Sequence, residues 1–366
     1  MLSEIRWELE WLLRMQDDDG GVWEKLTSAR FGGFTLPEED DAPGPRLIIG
    51  GRSSAPYKDS GSTGGFAAVL AAAARVYRPF DPAFAAGCLA ASRRAWVWIQ
   101  AHPGVGCSNP PGIRTGNYCN TSAKACRLWA DAELLRATGE AAFGGDFEAA
   151  KGEAPYVRGV QDWHDVSNLA FWSYAQAPSA LPDTAARVRQ DTATVADRLV
   201  AAGAANGYRD SLAPADFRWG SNGQAANMAL LLLVADQFAP DPARVQAALD
   251  DIHYLLGRNC FATCWVTCLG SRSVAHPHHR PSASKEYAAL PPWPGLLSGG
   301  PNAGGGDPLT NAIPASVPPM RHWTDQTGAY SSNEIAINWQ APLVFAVAAF
   351  VPEGGQAQGG GKAEGR

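Results

Sequence analysis

The sequence has no apolar run of the roughly 18 residues that a membrane-spanning helix needs, so we predict no transmembrane segment. It also lacks a strong excess of either charge, since 30 Lys and Arg residues oppose 36 Asp and Glu residues for a net charge of −6. This mild acidity argues against nucleic acid as the main partner, because nucleic-acid binding needs a basic surface. Residues 1–8 are amphipathic and acidic and do not have the form of a signal peptide.

Runs of alternating polarity, the pattern of a half-buried β-strand, are also missing at any useful length. Apolar residues instead recur with the spacing of helices. The predicted helices are 3–16, 62–78, 82–102, 122–138, 140–148, 161–176, 183–202, 222–237, 242–257 and 334–350. Asp81-Pro82 and Asp241-Pro242 each place a capping Asp before a Pro at the first helical position. The sequence therefore predicts an all-α protein.

The connections between these helices alternate in length. The short ones are 79–81, 177–182 and 238–241, and the long ones are 17–61, 103–121, 203–221 and 258–333. Antiparallel helices joined in this way place their long loops at one end, and loops of that length in a compact domain are usually functional. We predict an α/α toroid in one domain, 1–351, followed by a disordered Gly-rich tail, 352–366.

Seven cysteines are present, an odd number, and their spacing includes no CxxC pair and matches no known disulfide framework. Three of them recur every fourth residue ahead of a group of histidines: Cys260, Cys264 and Cys268. A zinc site is a weak alternative here to buried or free thiols. We predict no metal ligand and no cofactor; a structural calcium ion is compatible with the sequence but is not predicted.

Tryptophan is abundant, with 13 residues. Five lie in or beside the long loops: Trp23, Trp219, Trp265, Trp293 and Trp323. A loop Trp often only covers a helix end, whereas five on one face would form a groove of stacking surfaces for a neutral ligand.

The segment 323–339 contains two carboxylates, Asp325 and Glu334. Ser331-Ser332-Asn333 resembles a helix start, which predicts Glu334 in a first turn, where a carboxylate can be merely a favourable charge. Three aromatic residues lie in the same segment: Trp323, Tyr330 and Trp339. Aromatic faces suit a sugar ring, and an apolar setting raises the pKa of a carboxyl towards the range of a general acid. The segment alone favours neither interpretation.

The loop 266–282 carries three histidines and an arginine within five residues, 276–280, held by two prolines. A single His is usually a satisfied core residue, but this cluster is poor core material. His278 and Arg280 can donate to hydroxyls and hold a carboxylate in its charged form, and on the residues alone a site role and a structural role are equally open for both.

These motifs resemble glycoside hydrolase family 9, the inverting cellulases with an (α/α)6 barrel. The most specific matches are Pro277-His278-His279-Arg280, at the end of the stretch 270–280, and the spacing of the second carboxylate motif. That motif consists of Trp323, Asp325, Tyr330, Glu334 and Ala336. Further matching segments cover nearly the whole chain: 2–16, 129–139, 219–222, 254–259 and 294–302.

The resemblance implies hydrolysis of β-1,4-glucosidic bonds in cellulose or related β-glucans. It implies that Glu334 protonates the glycosidic oxygen, with Asp325 and His278 as further catalytic residues. The implied substrate-binding residues are Arg280, Tyr330, Trp219 and Trp323. Relatives of this kind are usually secreted, and we expect a monomer that binds a β-glucan and neither nucleic acid nor a membrane.

Family members also carry an Asp-Ala-Gly-Asp motif that supplies the general base, upstream of the helix in which Met1 lies. We therefore expect a catalytic domain truncated at its N-terminus, short of the family's twelve helices and with weak or no activity alone. The nearest acidic cluster, Asp17-Asp18-Asp19, lies in a turn and is not assigned as the base.

Smaller departures from the family pattern are Cys264 for Ser, Thr or Val, Gln340 for Asn, Asn120 for Asp, and Ala125-Cys126 for Asp-Glu. The last changes argue against a metal site in that region. Two alternatives stay open: a non-catalytic glucan-binding protein, and a related glycosidase that acts on amino sugars or mixed-linkage glucan. The retained acid motif argues against a pure binding protein.

Overall fold

The computed structural model describes residues 1–39, 47–49, 58–119 and 122–352. Asn120 and the tail from residue 353 onwards lie outside the described residues. The backbone contacts divide the chain into two compact units, Met1–Arg198 with His279–Pro291, and Leu199–His278 with Pro292–Arg366. The single domain over 1–351 stays a prediction.

The first unit consists mainly of helices. They are α1 (Leu2–Leu13), α2 (Ser60–Tyr77), α3 (Pro82–Ala101), α4 (Ala123–Thr138), α5 (Ala141–Ala150) and α6 (Ser167–Ala175), and α7 (Pro182–Ala205) runs across the boundary. Two short strands, β1 (Lys25–Thr27) and β2 (Leu47–Ile49), pair antiparallel in the long connection after α1, with Lys25 opposite Ile49.

Small residues bring α2 close to both α3 and α4. A Cβ at Gly64 would lie 2.9 Å from the Cys126 backbone, so α2 touches α4 there without a side chain. On the other side, the Ser92 hydroxyl of α3 donates to the Ala67 carbonyl at 2.6 Å. The Ala-rich sequence of α2 thus serves close helix packing, in which dispersion contacts accumulate.

The second unit contains the remaining helices. They are α8 (Ser221–Phe238), α9 (Pro242–Leu255), α10 (Pro308–Asn311), α11 (Tyr330–Asn333) and α12 (Ile337–Ala348). Helix α12 packs on α8 through Trp339, whose ring lies against Gly220 and Gly223. A Cβ at Gly223 would lie 2.3 Å from the Trp339 ring, so the close contact requires glycine.

The first nine predicted segments each contain a helix, and both predicted caps are confirmed. Asp81 accepts the Phe84 N–H at 3.0 Å, and Asp241 accepts the Ala243 N–H at 2.9 Å. Helix propensity, capping and the helical apolar period therefore agree in these segments.

The predicted helix 334–350 is wrong at its start. Tyr330–Asn333 is a short helix of its own, α12 begins only at Ile337, and Glu334 between them has extended backbone with φ −57° and ψ 155°. Long-range pairing competes with the helix, because Ile335 forms a β-bridge with Ser298 and Glu334 forms one with His278.

Among the described helices, none combines the length and apolarity required to cross a membrane.

Candidate active site

Glu334 lies in a short extended segment of the second unit that is fixed from two sides. The His278 N–H donates to the Asn333 carbonyl at 2.8 Å, and the Gly299 N–H donates to the Glu334 carbonyl at 2.9 Å. Glu334 is therefore outside any helical first turn, and the interpretation of its carboxylate as an N-terminal helix charge is wrong.

The Glu334 side chain accepts a hydrogen bond from an indole. Trp219 Nε1–H donates to Glu334 Oε2 at 2.9 Å. The carboxylate is half-buried, and Trp219 keeps 44% of its surface exposed. One carboxylate oxygen is thus oriented by a donor while the residue remains open to solvent, an arrangement that suits a proton donor.

Two further predicted residues surround this pair. The Tyr330 ring centre lies 5.9 Å from that of Trp219 and 5.6 Å from that of His278. Tyr330 Oη donates to the Gly306 carbonyl at 2.8 Å, which fixes the ring. The structure therefore brings Glu334, Trp219, Tyr330 and His278 together in one unit.

His278 is oriented by the backbone. Its Nδ1 lies 2.7 Å from the Thr327 carbonyl oxygen, which can only accept, so Nδ1 carries the proton when the imidazole is neutral. The Nε2 atom is then the basic nitrogen of the ring. Such a fixed tautomer is the usual way in which a second group sets the role of an active-site histidine.

Asp325 binds the backbone of the segment that leads to His278. Its two oxygens accept the backbone N–H groups of Ala275 and His276 at 3.0 and 2.8 Å. His276 Nδ1 also lies 3.6 Å from Oδ1. Asp325 thus tethers the peptide that leads to His278.

Trp323 does not lie on an exposed groove. Only 9% of it is exposed, and its ring packs edge-on against Trp265 and Phe261, with centres 4.8 and 5.1 Å away. Trp265 is fully buried, so neither it nor Trp323 is a widely exposed stacking surface. Trp293 is 41% exposed, and Trp23 is half-buried in the first unit.

The sequence did not single out Asn333, the residue before Glu334, as a residue of the site. Asn333 is fully buried, accepts the Trp323 Nε1–H at 2.7 Å, and donates to the carbonyls of Thr324 and Gln326 at 2.7 and 3.0 Å. It therefore joins the Asp325 loop to the Glu334 segment. A polar amide directly before the key carboxylate was the available signal, since a buried Asn needs partners.

Asp307 was also missed and holds the start of α11. It accepts from the Ser331 N–H at 3.0 Å and from the Thr310 hydroxyl at 2.6 Å. Burial alone would raise the pKa of Asp307, but the hydrogen bonds from Ser331 and Thr310 outweigh it and lower the pKa below its usual range. A charged Asp307 thus anchors the helix that precedes Glu334.

Arg280 belongs to the first unit and lies there beside Phe31. The guanidinium carbon is 5.2 Å from the centre of the Phe31 ring. The adjacent His279 bonds through Nδ1 to the Ser282 hydroxyl at 2.9 Å, and burial lowers the pKa of His279 below its usual value. Arg280 follows His278 by two residues along the chain.

The residues that depart from the family pattern make structural contacts. Gln340 accepts the Leu297 N–H at 2.9 Å and donates to the Gly295 carbonyl at 2.8 Å. Cys264 is buried, and its backbone forms an isolated β-bridge with that of Ser273. Cys126, in α4, contacts Gly64 of α2.

The three cysteines of the weak zinc hypothesis make separate contacts. The Cys260 thiol donates a hydrogen bond to the Met320 carbonyl, and the Cys268 thiol donates one to the Pro292 carbonyl. In the part of the chain that the structure describes, three potential ligands come within 4.8 Å of one another at Glu24, Cys107 and Cys119. Cys107 and Cys119 form a disulfide, which the sequence did not predict, so their sulfurs are not thiolate ligands.

Comparison with known proteins adds independent information. The model of "Glycosyl hydrolase family 9" matches residues 1–347. Endoglucanase D of Acetivibrio thermocellus is 32% identical over 96% of this chain and 52% of its own length. The solved structure of the GH family 9 endoglucanase J30 superposes with a TM-score of 0.86 at 37% identity, over 95% of this chain and 63% of that one.

A structure of AaCel9A in complex with cellobiose-like isofagomine superposes with a TM-score of 0.85 at 36% identity, over 94% of this chain and 64% of that one. The chain thus spans about half to two-thirds of the length of these relatives. The likenesses confirm the expected fold class, the all-α (α/α)6 barrel. The motifs of the second unit, the family match over 1–347 and the superpositions lead to one conclusion: this chain belongs to glycosyl hydrolase family 9.

Proposed function

We propose that this chain carries the proton-donor half of a β-1,4-glucan hydrolase and that Glu334 is the general acid. The observation that carries this proposal is the Glu334 carboxylate, bonded to Trp219 and grouped with Tyr330 and His278. Relatives named endoglucanases support the substrate class. Cellulose or a related β-glucan is the proposed substrate.

The proposed chemistry begins with a proton on Glu334. That proton passes to the glycosidic oxygen as the C1–O bond breaks, so the leaving sugar departs as an alcohol. The hydrogen bond from Trp219 to Oε2 orients the carboxyl group that presents the proton. In an inverting reaction, a second carboxylate about 6.5–9.5 Å away removes a proton from the water that attacks C1 on the opposite face.

The Glu334→Gln variant tests the proton donor. With azide present to attack C1 without a base, cleavage of cello-oligosaccharides is expected to fall about 10²- to 10⁴-fold, because their alkoxide leaving groups need protonation. Hydrolysis of 2,4-dinitrophenyl β-cellobioside should fall far less, since dinitrophenolate leaves without a proton. Glu286→Gln, which removes an exposed carboxylate, is the matched control.

Equal losses on both substrates would contradict the role of proton donor. Cello-oligosaccharide binding that survives Glu334→Gln, with no turnover by either protein, would favour the non-catalytic glucan-binding alternative. A polysaccharide panel that includes mixed-linkage and amino-sugar polymers separates the remaining glycosidase alternatives.

We also propose that the general base is not one of these 366 residues. Azide tests this idea, because the anion attacks C1 without a base, forming a C1–N bond as the C1–O bond breaks. We expect azide to accelerate cleavage by the chain and to yield the α-glycosyl azide, with the acceleration lost in Glu334→Gln. Turnover without azide at the rate of the longer relatives would show that the base is within the chain.

We also propose that the protein is secreted, and the Cys107–Cys119 disulfide supports this proposal because disulfides persist in oxidising compartments. Thiol labelling of protein unfolded without reductant is expected to find five free thiols, the seven cysteines less the bonded pair. Seven labelled thiols in protein from an oxidising compartment would contradict it.

A further inference from the structure

The first unit contains an open cavity of about 400 Å³ beside Arg280. We call it the Phe31 cavity. Its wall comes from the end of β1 and the segment after it, within residues 26–37, and Arg280, Pro281 and Thr115 complete it. This volume lies within the usual range for small-molecule sites.

The cavity combines an aromatic face with hydroxyls and guanidinium groups. The Phe31 side chain is 61% exposed, and the Arg280 guanidinium lies 5.2 Å from its ring centre. The hydroxyl groups belong to Thr27, Ser28, Thr35 and Thr115, and no described carboxylate lines the cavity. A flat ring beside several donors matches a pyranose, which has an apolar face and a rim of hydroxyls.

The wall of the cavity is held by its own hydrogen bonds. Thr27 Oγ1 lies 2.8 Å from Thr115 Oγ1, and the Arg114 N–H donates to the Ala29 carbonyl at 2.7 Å. The Cys107–Cys119 disulfide closes the loop that contains Thr115. A wall that is ordered before binding loses less conformational entropy when it captures a ligand.

We propose that the Phe31 cavity is a carbohydrate subsite that binds a neutral pyranose unit of a β-glucan, with the ring stacked on Phe31. This inference rests on the proposed function for its substrate class. Residue 31 lies outside both family motifs, 270–280 and 323–336.

The test is calorimetric titration with the series from cellobiose to cellohexaose, in a Glu334→Gln background so that the ligand is not consumed. Phe31→Ala is expected to lower the affinity about twofold to tenfold for oligosaccharides long enough to fill the cavity. Phe80→Ala is the matched control, because Phe80 is 70% exposed in the same unit and does not line the cavity. Thermal unfolding checks that both variants fold.

Two conservative variants separate stacking from apolar contact. Phe31→Tyr keeps a flat ring and is expected to retain the affinity, whereas Phe31→Leu is expected to lose as much as Phe31→Ala. Equal affinities of Phe31→Ala and Phe80→Ala at every length, or binding only of uronic-acid oligosaccharides, would overturn the proposal. Unchanged turnover in Glu334→Gln would contradict the proposed function instead, so the two failures are distinguishable.

Discussion

Two of the hydrogen bonds from a tryptophan to a carboxylate in the described residues lie in different surroundings. In the first unit, Trp96 Nε1–H donates to Asp131 Oδ1 at 2.6 Å, and Asp131 is completely buried. In the second unit, Trp219 donates to the half-buried Glu334 at 2.9 Å. Burial raises the pKa of Asp131 to about 7, although the Trp96 bond opposes it.

This comparison shows that a perturbed pKa does not by itself locate the active site. Asp131 has a pKa near neutrality, yet it lies inside helix packing between α3 and α4. Asp251 is similar, since complete burial raises its pKa well above the usual value. Glu334 is distinguished instead by its partial exposure and by its aromatic and imidazole neighbours.

The largest expected effect on stability concerns a buried indole. Trp323→Ala should lower the free energy of unfolding by about 3–5 kcal/mol, because it leaves a cavity beside Trp265 and removes a donor from buried Asn333. Trp219→Ala, the control, removes a 44% exposed ring from the same unit and should cost less than about 1 kcal/mol. Urea unfolding monitored by circular dichroism measures both, and equal losses would contradict this assignment of Trp323.

The next prediction concerns pH and Asp131. Its pKa in the folded protein, about 7, exceeds the ordinary 3.8, so the folded state holds a proton that the unfolded state releases. The stability that the folded state gains from this proton is fully present below pH 3.8. It is lost as the pH rises towards 7, and the free energy of unfolding falls by no more than about 1.4 kcal/mol per pH unit. In Asp131→Asn, which resembles the neutral acid, this part of the pH dependence should disappear.

Urea unfolding at intervals between pH 4.5 and 7.5 measures the difference between the two proteins. The free energy of unfolding of Asp131→Asn should gain on that of the wild type as the pH rises. The other buried carboxylates, including Asp251, contribute equally to both proteins and cancel. Parallel curves would indicate that Asp131 is charged in the folded state throughout this range.

The sequence was sufficient for features set by neighbouring residues. The caps at Asp81 and Asp241 and the helical periods depend on a few adjacent positions, and the structure contains them. The extended conformation of Glu334 depends on His278, 56 positions away, and so could not be derived from local signals. The buried state of Trp323 and the Cys107–Cys119 disulfide likewise depend on loops that only the folded chain brings together.

The smallest expected effect is also the most specific test of the pair at the candidate site. An N–H donor favours the charged form of a carboxylate, so removing the indole N–H in Trp219→Phe should make Glu334 hold its proton to higher pH. We expect the titration midpoint of the Glu334 carboxyl to lie at higher pH in Trp219→Phe than in the wild type. Carbon-13 NMR of glutamate-labelled protein measures it, with Glu334→Gln identifying the resonance.

Trp293→Phe is the control, since this ring is similarly exposed, at 41%, in the same unit. Its titration curve for Glu334 should match that of the wild type. If the Trp219 indole only fills space, the Glu334 midpoint in Trp219→Phe will also match that of the wild type. Trp219 would then be a stacking surface and not a positioning residue. If Trp219→Phe moves the midpoint while the free energy of unfolding changes by less than about 0.5 kcal/mol, the indole acts on the proton donor and not on the fold.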